Sequence, residues 1–199
     1  MKSSSNKKNI ITNLRRFMGE KLFGNLISSY TNQMVSFLKS TDKIIDLGAG
    51  TGVYTQLLKR KGFNVQPVDI KDYSYYSDIG MCLYDGKHLP FKNNEFDVCL
   101  LRSVLHHSSH PEVVLKEAVR VSKKLIIHEN VITNIFQRYY TYLIDCIMNK
   151  ELIEPHTNKT DREWLLLFKK LNLDLLNVID EKAFLFLQNK TYILKKYEK

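Results

Sequence analysis

The sequence predicts an α/β protein, a doubly wound sheet that is mostly parallel and has helices on both faces. Three observations carry that class. A short apolar strand beginning at Ile44 ends in Asp46 and runs into a turn with glycines at 48, 50 and 52, with a helical pattern directly behind it. Strand-like and helical patterns then alternate through much of the chain, as crossover units do. The 199 residues suit one domain with a sizeable core.

The elements follow in order. After a basic Ser/Asn/Lys tail, residues 10–18 and 22–38 read as helices that cover the ligand edge of the sheet. Residues 53–60 carry Val53, Leu57 and Leu58 at helical spacing, and Gly62 reads as the helix stop. A strand over 63–68 delivers Asp69 at its end, and 96–101 is a buried-strand run. Pro111 fits a first helical position, and Val114, Leu115, Ala118 and Val119 give that helix an inner face. Residues 125–127 form a further strand. Helical spacing from Ile132 to Ile147 makes a wide apolar stripe, and Thr160 with Glu163 forms a capping-box pattern ahead of Trp164, Leu165 and Phe168. Residues 175–179 and 191–194 read as the last two strands.

Composition excludes several classes. Cys82, Cys99 and Cys146 are odd in number and lie among apolar residues, which fits buried free thiols in a reducing cytoplasm. No run approaches the roughly 18 apolar residues of a membrane span, and no feature specifies an oligomeric state. The net charge of +9 is compatible with nucleic acid or an anionic membrane as partner. The simpler account is solubilising lysines scattered over the surface.

The glycine turn is the chemical centre. Gly48, Gly50 and Gly52 remove side chains where backbone turns tightly beside a ligand, and the helix start offers N–H groups. A dinucleotide fingerprint would need its third glycine at Val53, and Asp46 would repel a pyrophosphate. Asp69 stands about 20 residues on, where doubly wound folds place an acid for ribose hydroxyls.

From Ile44 to about Asn130 the chain resembles the class I S-adenosylmethionine-dependent methyltransferases, as a small Rossmann-like member of the methyltransferase-11 type. That cofactor has no phosphate and carries a sulfonium and an ammonium, which suits a carboxylate beside a glycine turn. The resemblance implies a seven-stranded sheet with an antiparallel edge. It assigns the cofactor to Asp46, Gly48, Ala49, Gly50, Gly52, Asp69 and Ile70. Asp85 faces the adenine amino group with Gly86 beside it, and Arg102 and Ser103 open the segment lining the sulfonium. His107 and His106 follow as methyl-facing residues and candidate bases. Many members place Pro-Gly-Gly before the fifth strand; Ser122-Lys123-Lys124 makes a shortened link here. Residues 1–21 are expected to form a basic tail and helix, and 22–199 a single methyltransferase domain.

The expected activity is in-line methyl transfer to a small-molecule or lipid-like acceptor. Nothing like an Asn/Asp-Pro-Pro-Tyr signature follows the fourth strand, so RNA is a runner-up resting on charge. A non-catalytic cofactor-binding protein is the contrasting class, disfavoured by Asp46, Asp69 and Asp85 together. Tyr73, Tyr75, Tyr76, Tyr139, Tyr140 and Tyr142 are candidates for an apolar acceptor wall, and Glu129 for a substrate-orienting acid. No metal is expected, because Ser103 stands where metal-dependent members carry a carboxylate.

Overall fold

The computed structural model describes residues 31–134, 136–139, 141, 157–182 and 188–197. The expected tail, the helix over 10–18, most of that over 22–38 and half of that over 132–147, Tyr140, Tyr142 and Cys146 lie outside them. So does the division at residue 21.

Seven strands are present: β1 (Lys43–Leu47), β2 (Asn64–Asp69), β3 (Cys82–Leu83), β4 (Phe96–Arg102), β5 (Ser122–Val131), β6 (Leu173–Lys182) and β7 (Gln188–Lys196). Among the described residues, the helices that run complete between their caps are α1 (Val53–Arg60), α2 (Pro111–Val121) and α3 (Asp161–Lys170), and residues 31–35 and 136–139 are also helical. The strands form one sheet in the order β3-β2-β1-β4-β5-β7-β6. The first five are parallel, and β7 runs antiparallel to both β5 and β6. The expected doubly wound sheet with an antiparallel edge is therefore observed.

Alternation along the buried strands divides the core in two. Ile45 and Leu47 of β1 join Leu101, Leu115, Ile127, Trp164 and Phe168 on the face covered by α2 and α3. Ile44 joins Met34, Leu58, Val65, Val98 and Ile126 on the face covered by α1. Both faces of the sheet are thus closed by apolar contact. Trp164 stacks on Phe168 with centroids 6.1 Å apart, and Phe168 meets Tyr192 of β7 edge-on at 5.2 Å, so α3 is fastened to the antiparallel strands. Of the cysteines, Cys99 is a buried free thiol as expected, whereas Cys82 is only half-buried because its short strand lies at the sheet edge.

Helix boundaries follow the expected chemistry. Gly62 adopts φ +88° after α1, donating to the Lys59 carbonyl at 2.9 Å while Phe63 donates to that of Leu58 at 3.1 Å, a Schellman closure. The strands depart from expectation in length. The strand expected over 125–127 occupies Ser122–Val131, so Ser122-Lys123-Lys124 is no loop: α2 passes directly into β5. Ser122 makes this possible by donating its hydroxyl to the Ala118 carbonyl at 2.7 Å while its backbone pairs with Phe96. β6 and β7 likewise extend beyond 175–179 and 191–194. Their polar ends, such as Gln188 and Asn189 opposite Val131 and Asn130, are held by ladder hydrogen bonds rather than burial.

At α3 the capping box is formed. The Thr160 N–H donates to Glu163 at 2.7 Å, and the Glu163 N–H donates to the Thr160 hydroxyl at 3.3 Å. Replacing Thr160 by Ala should lower unfolding free energy by about 1 kcal/mol in denaturant titration; an unchanged midpoint would mean that packing of Trp164 and Phe168 alone sets this helix start.

Candidate functional site

The strand order reverses between β1 and β4, and open parallel sheets bind ligands in the crevice at the carboxyl ends flanking such a point. Three turns meet there. The first, 48–52, leaves β1. Its Gly48 and Ala49 N–H groups donate to the Val68 carbonyl at 2.8 and 3.1 Å, fastening it to β2. Gly48, Gly50 and Gly52 have φ of +77°, +54° and +76°. At Gly48 a Cβ would lie 2.4 Å from the Val104 side chain, so only glycine permits the approach. At Gly50 nothing lies within 4 Å of that position, and the turn opens into space there.

Asp69 bridges the first turn to the end of β2. Its carboxylate accepts from the Gly50 N–H at 2.8 Å and from its neighbour Ile70 at 2.7 Å. Burial raises its pKa despite those donors. Ile70 lies exposed beside Gly86, 3.5 Å from where a Cβ there would stand. Asp85 departs from this grouping. It is exposed and accepts from the backbone of Lys87 at 2.8 Å and His88 at 2.6 Å, which hold it down to about 2. One of its oxygens is thus committed to capping its own turn.

Asp46 is almost wholly buried. Burial pushes its carboxyl up to about 6, against the Thr55 hydroxyl that donates to it and the nearby Arg102 charge. Arg102, at the end of β4, lies 3.7 Å over the Tyr54 ring of α1. Ser103 follows with a left-handed φ of +52° and donates its N–H to the His128 carbonyl at 2.8 Å. That single positive-φ residue swings the chain so that Val104 rests on Gly48.

The turn Leu105–His107 separates the two candidate histidines. His106 is buried, with Nδ1 2.5 Å from Glu129 of β5, whereas His107 is half-buried with its ring centroid 4.1 Å from that of His106. Glu129 is fully buried and accepts from the Val104 and Leu105 N–H groups at 3.0 and 2.8 Å. The expectation of Glu129 as a substrate-orienting acid is corrected, because its carboxylate is spent on the turn. Burial works to raise its pKa, but the His106 charge and the two N–H groups outweigh that and hold it low. Thr157 closes the same turn, donating its N–H to the His106 carbonyl at 2.8 Å.

Sequence reasoning missed the Tyr54 stack, the Thr157 closure and a second buried polar group. In that group Thr191 donates to Glu181 at 2.7 Å, with His128 Nδ1 2.9 Å from the Thr191 hydroxyl. A signal existed for Glu129, since a carboxylate in an apolar strand must find donors or be expelled. None existed for Thr157 or Glu181, whose partners are set by distant chain. Among the described residues no group of three or more His, Cys, Asp or Glu is arranged to hold a metal ion.

Comparison with known proteins accords with this geometry. A family model described as a methyltransferase domain matches residues 45–125. The demethylmenaquinone methyltransferase of Corynebacterium urealyticum is 34% identical over 86 residues, 41% of this chain and 37% of that protein. The ribosomal RNA large subunit methyltransferase E of Wolbachia sp. subsp. Brugia malayi is 37% identical over 68 residues, 32% of each chain. The chain thus matches about a third of the length of these curated relatives. In fold it is similar to the Burkholderia thailandensis 1,6-didemethyltoxoflavin-N1-methyltransferase, solved with 1,6-didemethyltoxoflavin and S-adenosylhomocysteine, with a TM-score of 0.68 at 13% identity over 96% of this chain and 90% of that one.

The Asp46 environment makes a stability prediction. An acid whose folded pKa lies above its ordinary 3.8 stabilises the fold in full below that value, and the contribution is lost as pH rises to about 6. Above that, ionised Asp46 costs about 3 kcal/mol. Asp46→Asn should therefore gain stability relative to wild type between about pH 4.5 and about pH 7, read from denaturation midpoints; a constant offset across that range would contradict it.

Proposed function

We propose that this chain, a class I S-adenosylmethionine-dependent methyltransferase by domain and fold, transfers a methyl group to a small organic acceptor. The observation that carries the proposal is the open Gly48–Gly52 turn with the Asp69 carboxylate bound to its Gly50 N–H. The cofactor fits this site on chemical grounds. Buried carboxylates at 46 and 69 suit a cation, and the open space at Gly50 is a cradle that a Cβ would fill. When bound, S-adenosylmethionine supplies an electrophilic methyl on a positively charged sulfur. The residues to hold it are Asp46, Gly48, Ala49, Gly50, Gly52, Asp69 and Ile70, with Gly86, Arg102 and Ser103 around them. Asp85 would complete the set with its second oxygen, since the first is committed to its own turn.

The chain's task beyond binding is orientation and exclusion of water, since displacement at a methyl group needs little covalent help. His107 is our candidate for the residue that meets the acceptor, because it is half-buried on a turn packed against the glycine turn. His106 is too enclosed to share that part without rearrangement. A small aromatic acceptor is supported by the demethylmenaquinone relatives and by exposed Tyr73, Phe136 and Tyr139, the last two just beyond β5.

RNA methylation is the second reading, favoured by the ribosomal RNA methyltransferase relative. Against it, several cations are locally neutralised, with Lys123 on Asp97, Lys170 on Glu112 and Lys190 on Asp161 and Asp180. Methyl incorporation into RNA that survives moderate salt would favour RNA. Binding that falls steeply with salt and yields no methylation would leave the charge non-specific.

Three measurements test the proposal. Calorimetry with S-adenosylmethionine should show Asp69→Ala weaker by about 1.5–3 kcal/mol, the range for a charge-assisted hydrogen bond; equal affinity in both proteins would refute the site. Wild-type affinity should rise with pH from about 5 to about 7, because the cation favours ionised Asp46, and Asp46→Asn should flatten that rise. For His107→Ala, a turnover loss of about 10²–10⁴-fold with cofactor binding intact would identify a general base. A loss under about tenfold would identify positioning instead.

A further inference from the structure

The polar contacts around Glu129 tie one short turn to β5. Glu129 makes three contacts within a fully buried space: Oε1 accepts from Val104 and Leu105 N–H at 3.0 and 2.8 Å, and Oε2 lies 2.5 Å from His106 Nδ1. An ionised carboxylate is acceptor-only, so the imidazole proton facing it resides on Nδ1. His106 in turn packs its ring against that of His107, and the Val104 side chain fills the place a Cβ at Gly48 would need. The β5 carboxylate therefore fixes both ends of one short turn, the end that touches the glycine turn and the end that carries His107.

We propose that Glu129 is the positioning residue of the acceptor side, acting through His106 and the Val104–Leu105 backbone to hold His107 in register with the glycine turn. The role rests on the methyl-transfer reading for its purpose, and on the contacts above for its mechanics. It also divides the histidines: His106 is the anchor, and His107 is left as the residue at the crevice. A carboxylate is required for a specific reason. Glutamine at 129 keeps the volume but offers the two N–H groups only a neutral oxygen, a weaker acceptor than a carboxylate, and its amide nitrogen is a donor facing a ring nitrogen that already bears a proton. That clash is relieved only by moving the imidazole proton or turning the ring.

The test compares wild type, Glu129→Gln and His106→Asn by imidazole nitrogen NMR, amide hydrogen exchange and calorimetry with S-adenosylhomocysteine. Wild type should show the His106 Nδ1 proton. Glu129→Gln should lose it, shift the His107 ring resonances and speed exchange at Val104 and Leu105 at least tenfold, with protection in β1 and β4 within about threefold of wild type. His106→Asn places an amide N–H where Nδ1–H was and should retain protection at Val104 and Leu105. It keeps the idea testable if Glu129→Gln does not fold. Unchanged His107 resonances in Glu129→Gln, protection lost evenly across the sheet, or loss of Val104 and Leu105 protection in His106→Asn would each overturn the proposal. Failure of wild type to bind S-adenosylhomocysteine would strike the methyl-transfer reading instead, while the NMR and exchange results still decide what Glu129 does.

Discussion

The site depends on the absence of one methyl group. With a Cβ at Gly48 only 2.4 Å from Val104, the turn after β1 and the turn after β4 could not touch, and the crevice at the strand reversal would be wider by the shift needed to relieve the overlap. The contact is held from both sides. The first turn is fastened to β2 through the Val68 carbonyl, and the second to β5 through Glu129. Four neighbouring strands, β2, β1, β4 and β5, thereby set the separation of the two turns. The parallel ladder on which those strands stand is buried on both faces, so the separation is backed by the core.

Burial treats the carboxylates at the strand ends in opposite ways. Glu129 receives two backbone donors and an imidazole, and its ionised form is favoured in the fold. Among the described residues Asp46 receives the Thr55 hydroxyl and a more distant guanidinium, and the fold pushes it toward the neutral form. A satisfied buried charge supports structure, whereas an under-satisfied one stores a cost that a cationic ligand can relieve. The pattern matches the division of labour proposed for the two residues, with Glu129 holding the turn and Asp46 awaiting charge.

Much of this was legible in the sequence where local chemistry decides structure. The glycine turn, the Gly62 stop, Pro111 at a helix start and the Thr160–Glu163 box each depend on residues a few positions apart, and each appears as expected. The strand lengths were less legible. Lys123, Lys124, Gln188 and Asn189 are in strands because a neighbouring ladder recruits them, which no periodicity in their own segment announces. At the proposed site, the glycine turn and the place of Asp69 at a strand end were legible from spacing, and the structure brings the two together. The fate of Glu129 depended on which N–H groups lay 24 and 25 residues away, a matter of tertiary register.

The adjacent histidines show why residue type alone does not assign chemistry. Both follow β4, both suit a general base by ordinary titration, and they differ by one position on a tight turn. That one step rotates His106 into the sheet, where a carboxylate and the Thr157 contact to its carbonyl enclose it, and leaves His107 half-buried beside it. A base must exchange its proton with the acceptor and then with water, so enclosure disfavours His106 as the exchanging group. The same enclosure suits a strut. In the methyl-transfer reading proposed above, what the turn would gain by spending one histidine on Glu129 is a fixed orientation for the other, and orientation is the larger part of catalysis for a displacement that requires only alignment.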